Sequence, residues 1–244
     1  MAVAGFYSPV SFALTVTKTG SHGWYTTVDS AGQPSLLDRL HPSLSRDRIA
    51  TYLTAAGFDA DRALRLYLWN AQIGEAFHLP IQAAEVALRN RIDTGLRARY
   101  GNDWWSNPDL TATNDRERKE DIATALRRIK HRKAALATPQ VIATLSFGFW
   151  VGMLQPRYNP MLWSGTLRTA FPKLPADKNR YDLAAAAKRV CDLRNRIWHH
   201  EPIFRMNLSE EHRATLDLLA WACPEKAAWI KPHCRVPHLL RQKP

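Results

Sequence analysis

The sequence predicts an all-α fold. Three observations carry that reading. Apolar residues recur at helical spacing over most of the 244-residue chain, prolines and capping residues punctuate those runs, and strand-like alternation is scarce. With 45% hydrophobic residues the chain can fill a proper core. The expected organisation is one helical domain over 35–222, an N-terminal extension over 1–34 and a basic, proline-containing tail over 223–244.

Residues 1–34 are rich in Gly, Ser, Thr and β-branched side chains. Val10, Phe12 and Leu14 alternate as in a short strand, and the segment as a whole reads as a loosely ordered extension. From Ser35 the pattern turns helical. Ser45 caps a helix to about residue 56, which Gly57 stops. Asp59 caps the next, to about residue 78, with Ala63, Leu66, Tyr67, Trp69, Ile73 and Phe77 at helical spacing. Pro80 suits the first turn of a separate long helix to about residue 100. Gly101-Asn102 and Ser106-Asn107-Pro108 mark a break, which Trp104 and Trp105 hold to the core. A charged helix is expected over 114–137, a short apolar one from Pro139, then the segment 147–154 and a helix over 158–170. Asp177 opens a long helix that finishes near His200, because Pro202 disfavours helical geometry at Glu201. Ser209 starts a last helix to about residue 222, and the tail from Pro224 is expected to be irregular.

Lys and Arg number 34 against 22 Asp and Glu, a formal charge of +12 with a pI of about 10.0. That balance favours an anionic partner, nucleic acid ahead of a membrane surface. No apolar run approaches the roughly 20 residues of a membrane helix. The opening MAVAGFYSPVSFALTVTKTG lacks a basic leading region and is not read as a signal peptide. Cys191, Cys223 and Cys234 fit neither a disulfide framework nor zinc-finger spacing, so a reducing cytoplasm is expected.

The string Leu-Arg-Asn-Arg-Ile occurs twice, at 88–92 and 193–197. Only the second copy is followed by Trp198, His199 and His200; Asp93, Thr94 and Gly95 follow the first. On a helical wheel Leu183, Ala187, Val190 and Ile197 form an apolar stripe that contains Arg194, while Asn195 and His199 share an adjoining face. In the earlier helix Ile81, Ala84, Leu88 and Ile92 form a stripe that contains Glu85. Charges inside apolar stripes need a partner or a function. Two readings follow: a Glu85–Arg194 strut without chemistry, or a catalytic set. Imidazoles at a helix end can exchange protons, Arg194 can hold a phosphoryl group, and Asn195 can orient either. Those are the groups that attack by an RNA 2′-hydroxyl on its own phosphate requires, and a two-fold dimer would double them. Adjacent histidines point apart and no HExxH string is present, so no metal and no other cofactor is expected.

The chain resembles the Abi-like (abortive infection) proteins, a branch of the HEPN superfamily. The resemblance rests on LRLYLWNAQIGEAFHLPIQAAEVALRNRID, YGNDWW, LSFGFWVGML and above all LRNRIWHHEPIF, together spanning about 64–204. It implies a HEPN-like helical bundle with extra helices. It also implies metal-independent RNA cleavage at a dimeric composite site, with Arg194, Asn195 and His199 as the Arg-Asn-x3-His motif; His200, Glu85, Arg89 and Asn90 are the expected supporting residues. A role in antiphage defence or as a toxin follows from it, with control by a small RNA or an antitoxin in some systems.

The charged helix places Asp115, Glu117, Glu120 and Asp121 first and Arg127, Arg128, Lys130, Arg132 and Lys133 last, an order that suits the helix dipole. Its last turns are expected to touch RNA phosphates. Trp198 can stack on a base or pack beside Arg194. The glycines of Phe147-Gly148-Phe149-Trp150-Val151-Gly152 are read as sites of close helix contact, in a dimer interface for instance. The competing functional class is a non-catalytic RNA- or protein-binding HEPN module in which Arg194 is a buried strut.

Overall fold

The computed structural model describes residues 15–19, 24–28, 33–111, 115–133 and 135–244. Val10, Phe12 and Leu14 lie outside them. Two strands, β1 (Thr15–Thr19) and β2 (Trp24–Val28), pair antiparallel with Thr15 opposite Val28. Among the described residues after them the regular elements are helices: α1 (Leu36–Leu44), α2 (Arg46–Ala55), α3 (Ala60–Tyr100), α4 (Pro108–Thr111), α5 (Arg116–His131), α6 (Thr138–Thr144), α7 (Phe147–Gly152), α8 (Leu167–Ala170), α9 (Arg180–Trp198), α10 (Leu208–Ala222), α11 (Pro224–Ile230) and α12 (Val236–Leu240). The all-α class therefore holds, with one small ribbon ahead of it.

Two compact units form, one of residues up to 69 with 243–244, the other of residues 70–242. In the first, Ile49, Tyr52, Ala56, Ala63 and Leu66 are buried, and Tyr52 meets Tyr67 edge-on at 5.2 Å. Ser35 caps α1 by accepting from the Asp38 N–H. Ser45, the expected cap of α2, makes no side-chain cap bond. Asp59 does cap α3, its Oδ1 accepting from the Arg62 N–H at 2.9 Å.

The second unit carries the site. Ile73, Phe77, Ile81, Ala84, Leu88, Ile92 and Leu96 give α3 a continuous buried stripe. That stripe runs past Pro80 without a break. Pro80 does not begin a new helix but sits inside one helix of 41 residues. A proline forfeits one hydrogen bond and crowds the preceding turn. Here apolar burial on both sides of it outweighs the local break.

Trp104, Trp150, Phe147, Phe149, Tyr158 and Phe171 fill the far end of the core, and the Trp104 indole donates to Asp93 at 2.7 Å. The charged helix stops at His131, short of the expected residue 137, with Lys133 at φ +52° beyond it; residue 114 lies outside the described residues. No single helix covers 158–170. A 3₁₀ turn (Pro156–Tyr158) leads into a π-helical turn (Asn159–Trp163), and Gly165 at φ +82° reverses the chain before α8. A left-handed glycine ends a helix whatever the apolar pattern.

Asn179 rather than Asp177 opens α9. Its side chain accepts from Tyr181 N–H, and Asp182 accepts from the Asn179 N–H, a capping box. Asn207 caps α10. The tail is not irregular. Pro224, Pro232 and Pro237 each stand in the first turn of a short helix, where a missing N–H does no harm. Ile230, Val236 and Leu239 are buried, with α11 and α12 against α10.

The glycine segment also has an internal explanation. Arg118 of α5 is buried and donates to the Gly148 carbonyl at 2.8 Å. A Cβ at Gly152 would lie 2.7 Å from the Arg118 Cζ, so a side chain there would have to push the guanidinium aside. The close contact is between α5 and α7 of one chain.

Candidate functional site

Helix α9 ends in the residues the sequence singles out, and its end is built with care. His199 is the C-cap, its N–H bonded to Asn195 O at 2.9 Å. His200 follows in the left-handed region at φ +57°, donating to Ile197 O, and Glu201 N–H reaches Arg196 O at 2.8 Å. This is the Schellman arrangement, with histidine where glycine is usual. His199, His200 and Asn195 are exposed, while Arg194 is half-buried.

The turn is anchored from α3 by a residue that the motif does not contain. Asn70, buried, accepts from the backbone N–H groups of Ile203 (2.8 Å) and Phe204 (3.1 Å), and its amide reaches Glu201 O at 3.5 Å. A polar side chain on the buried face of α3 was the available signal, the same one that marks Glu85. Further along, a Cβ at Gly74 would sit 3.5 Å from Ile197, and His78 stacks on Trp198 with ring centroids 5.3 Å apart and planes at 21°. His78 is absent from the sequence-based set; nothing local marks it.

Arg194 is held on several sides. Its guanidinium lies over the Trp198 ring at 4.9 Å, Nη1 donates to Asn195 Oδ1 at 3.3 Å, and Nε is buried without a hydrogen-bond partner. Trp198 thus packs beside Arg194 while staying 42% exposed. Asn195 in turn points its amide at Cys191 Sγ, 3.9 Å away.

Glu85 and Arg194 interact, but not as a closed ion pair. No N···O contact within 4.0 Å joins them. Burial pushes the Glu85 carboxyl above its usual range, and the positive charges of Arg194 and Arg89 only partly oppose it. Burial also raises the Cys191 thiol, with the charges of Arg194 and Glu85 acting on it in opposite directions. The strut is therefore a through-space coupling across a half-buried gap, not the direct salt bridge that the wheels suggest.

The first copy of the pentapeptide does other work. Arg91 Nε donates to Ala222 O at 2.7 Å, tying α3 to the end of α10. Arg89 is half-buried with an unpartnered Nε, and Asn90 is exposed.

On α5 the two halves differ as charge order implies. At the start Asp115 is a buried cap that also accepts from the Tyr158 hydroxyl, and Arg116 and Arg118 are paired to nearby carboxylates. At the end Arg127, Arg128, Lys130, Arg132 and Lys133 are all exposed, and among the described residues none of the five forms an ion pair. Ile122, Ala125 and Ile129 seat the opposite face in the core.

Among the described residues no helix is long and apolar enough to cross a membrane, and no three His, Cys, Asp or Glu side chains gather as metal ligands would. No family model, curated protein or solved structure matches the chain.

Proposed function

We propose that the protein is a metal-independent endoribonuclease of the HEPN type. The observation that carries this is the end of α9, where an exposed imidazole, an exposed carboxamide and a half-buried guanidinium stand within the last two helical turns. In the reaction a base takes the proton of an RNA 2′-hydroxyl and O2′ bonds to the adjacent phosphorus. The P–O5′ bond breaks, and an acid gives the leaving O5′ its proton. His199 serves as base or acid, Arg194 neutralises the phosphorane and Asn195 orients the imidazole or a phosphate oxygen. Each chain brings one His199, so a two-fold homodimer that pairs two motifs supplies both proton-transfer groups. The unpaired cations of α5 hold the RNA backbone. The cellular setting is cytoplasmic antiphage defence or toxin-type growth arrest, under an antitoxin or a regulatory small RNA.

The test is cleavage of single-stranded or looped RNA in EDTA, with end-group analysis. The expected products carry a 2′,3′-cyclic phosphate and a 5′-hydroxyl. His199→Ala should abolish cutting and leave the fold intact, because the exposed ring carries none of the core. Retained cutting in that variant, or strict dependence on Mg²⁺, overturns the mechanism. One observation favours the second reading, a non-catalytic RNA- or protein-binding module: Arg194 is already engaged by Trp198 and Asn195.

A further inference from the structure

We infer that His78 and Trp198 form a stacking platform for one unpaired RNA base beside the scissile phosphate. The inference rests on the nuclease reading for the identity of the ligand, but on its own geometry for the site. Two aromatic rings from helices far apart in sequence lie nearly parallel, 21° between planes and 5.3 Å between centroids. Neither ring is buried: His78 is exposed and Trp198 keeps 42% of its surface open. Core aromatics of this protein behave otherwise, with Trp104 and Trp150 at 0%. With His78 and Arg194 already on the Trp198 ring, the area open to a third planar group lies on the exposed His78 side of the stack.

The neighbours say which planar group. Arg194 lies over the same Trp198 ring at 4.9 Å and bonds the Asn195 side chain. A planar ligand on the stack thus lies beside a guanidinium that can meet an anion on the same ligand. Planar ring and anion on one short scaffold describe a nucleotide. A chain of net charge +12 selects a polyanion over an isolated one. The open, single-layer platform suits an unstacked base rather than a base pair.

The experiment separates base from backbone. The full chain carrying His199→Ala, which cannot cut, is titrated with a short single-stranded RNA and with an abasic ribose-phosphate chain of equal length. Adding His78→Ala or Trp198→Ala should weaken binding of the base-bearing RNA by about tenfold, the order of one lost base–aromatic contact. Binding of the abasic chain should stay unchanged. His78→Phe keeps a ring and should keep the affinity, which guards against a variant that merely fails to fold. Equal loss on both ligands, no loss on either, or loss with His78→Phe overturns the platform. Displacement of the RNA by a nucleoside monophosphate at equal affinity assigns the site to free nucleotides and overturns it too. Cleavage by the wild type is scored separately. A protein that cuts nothing yet shows the base-specific pattern keeps the platform and loses the nuclease; one that cuts without the pattern loses only the platform.

Discussion

Asn70 and His199 stand in opposite surroundings, one a buried support and the other an exposed imidazole. His199 reaches solvent and whatever it binds, whereas Asn70 is buried and holds the backbone that follows the histidines. Asn70→Ala leaves the N–H groups of Ile203 and Phe204 without an acceptor in a buried place. We expect a loss of about 2 kcal/mol or more in denaturant unfolding, an effect of desolvated donors rather than lost contact area. Glu85 gives the opposite expectation. Its folded carboxyl titrates above the ordinary value of 4.5 because burial dominates. A raised carboxyl favours the folded state while protonated, and that contribution is lost as pH rises from 4.5 through the folded value. Glu85→Gln should therefore raise stability at pH 7 and flatten the pH dependence on the acid side, as read by urea unfolding across that range. A strut held by ion pairing would lose stability instead. At this scale much of the site was legible: a charge inside an apolar stripe flagged both Glu85 and Arg194, and the doubled pentapeptide flagged Asn195 and His199. Asn70 obeyed the same rule and was there to be read. His78 was not, because its meaning comes from the register of α3 against α9, and an exposed histidine breaks no local pattern.

Elements were legible where caps and periodicity agreed and misleading where proline was read alone. Pro80 looks like a helix start, yet the buried stripe from Ile73 to Leu96 runs straight through it. In the tail, by contrast, Pro224, Pro232 and Pro237 do start helices, and buried Ile230, Val236 and Leu239 are what make them fold. Local chemistry limits where a helix can begin; burial decides whether it does. The break at Gly165 needed a backbone angle that no apolar count reveals. Helix α5 supports a prediction of its own. Its buried face is fixed by Ile122, Ala125 and Ile129, so its exposed cations are free to change. Replacing Arg127, Arg128, Lys130 and Arg132 together by Ala should alter stability by no more than about 0.5 kcal/mol per site. RNA affinity should fall, and the log–log salt dependence should flatten by roughly 0.7 for each lost phosphate contact. An unchanged slope would make the helix a solvated surface and nothing more.

For the whole molecule the decisive quantity is stoichiometry. If cutting needs a His199 from each of two chains, light scattering should find a dimer under the conditions of cleavage. Mixing wild type with excess His199→Ala should then suppress activity beyond simple dilution, because most wild-type chains would pair with an inert partner. Dilution alone, or a monomer that cuts, removes the composite site. One internal contact also bears on how the whole sequence can drift. Arg118 fills the space over Gly152 and is tied to Gly148 O, so Gly152 is not free to gain a side chain while Arg118 stands. A lineage that acquires alanine at 152 first must displace a buried guanidinium, whereas one that first trades Arg118 for a neutral side chain opens the gap. The two changes are therefore easier in one order than in the other.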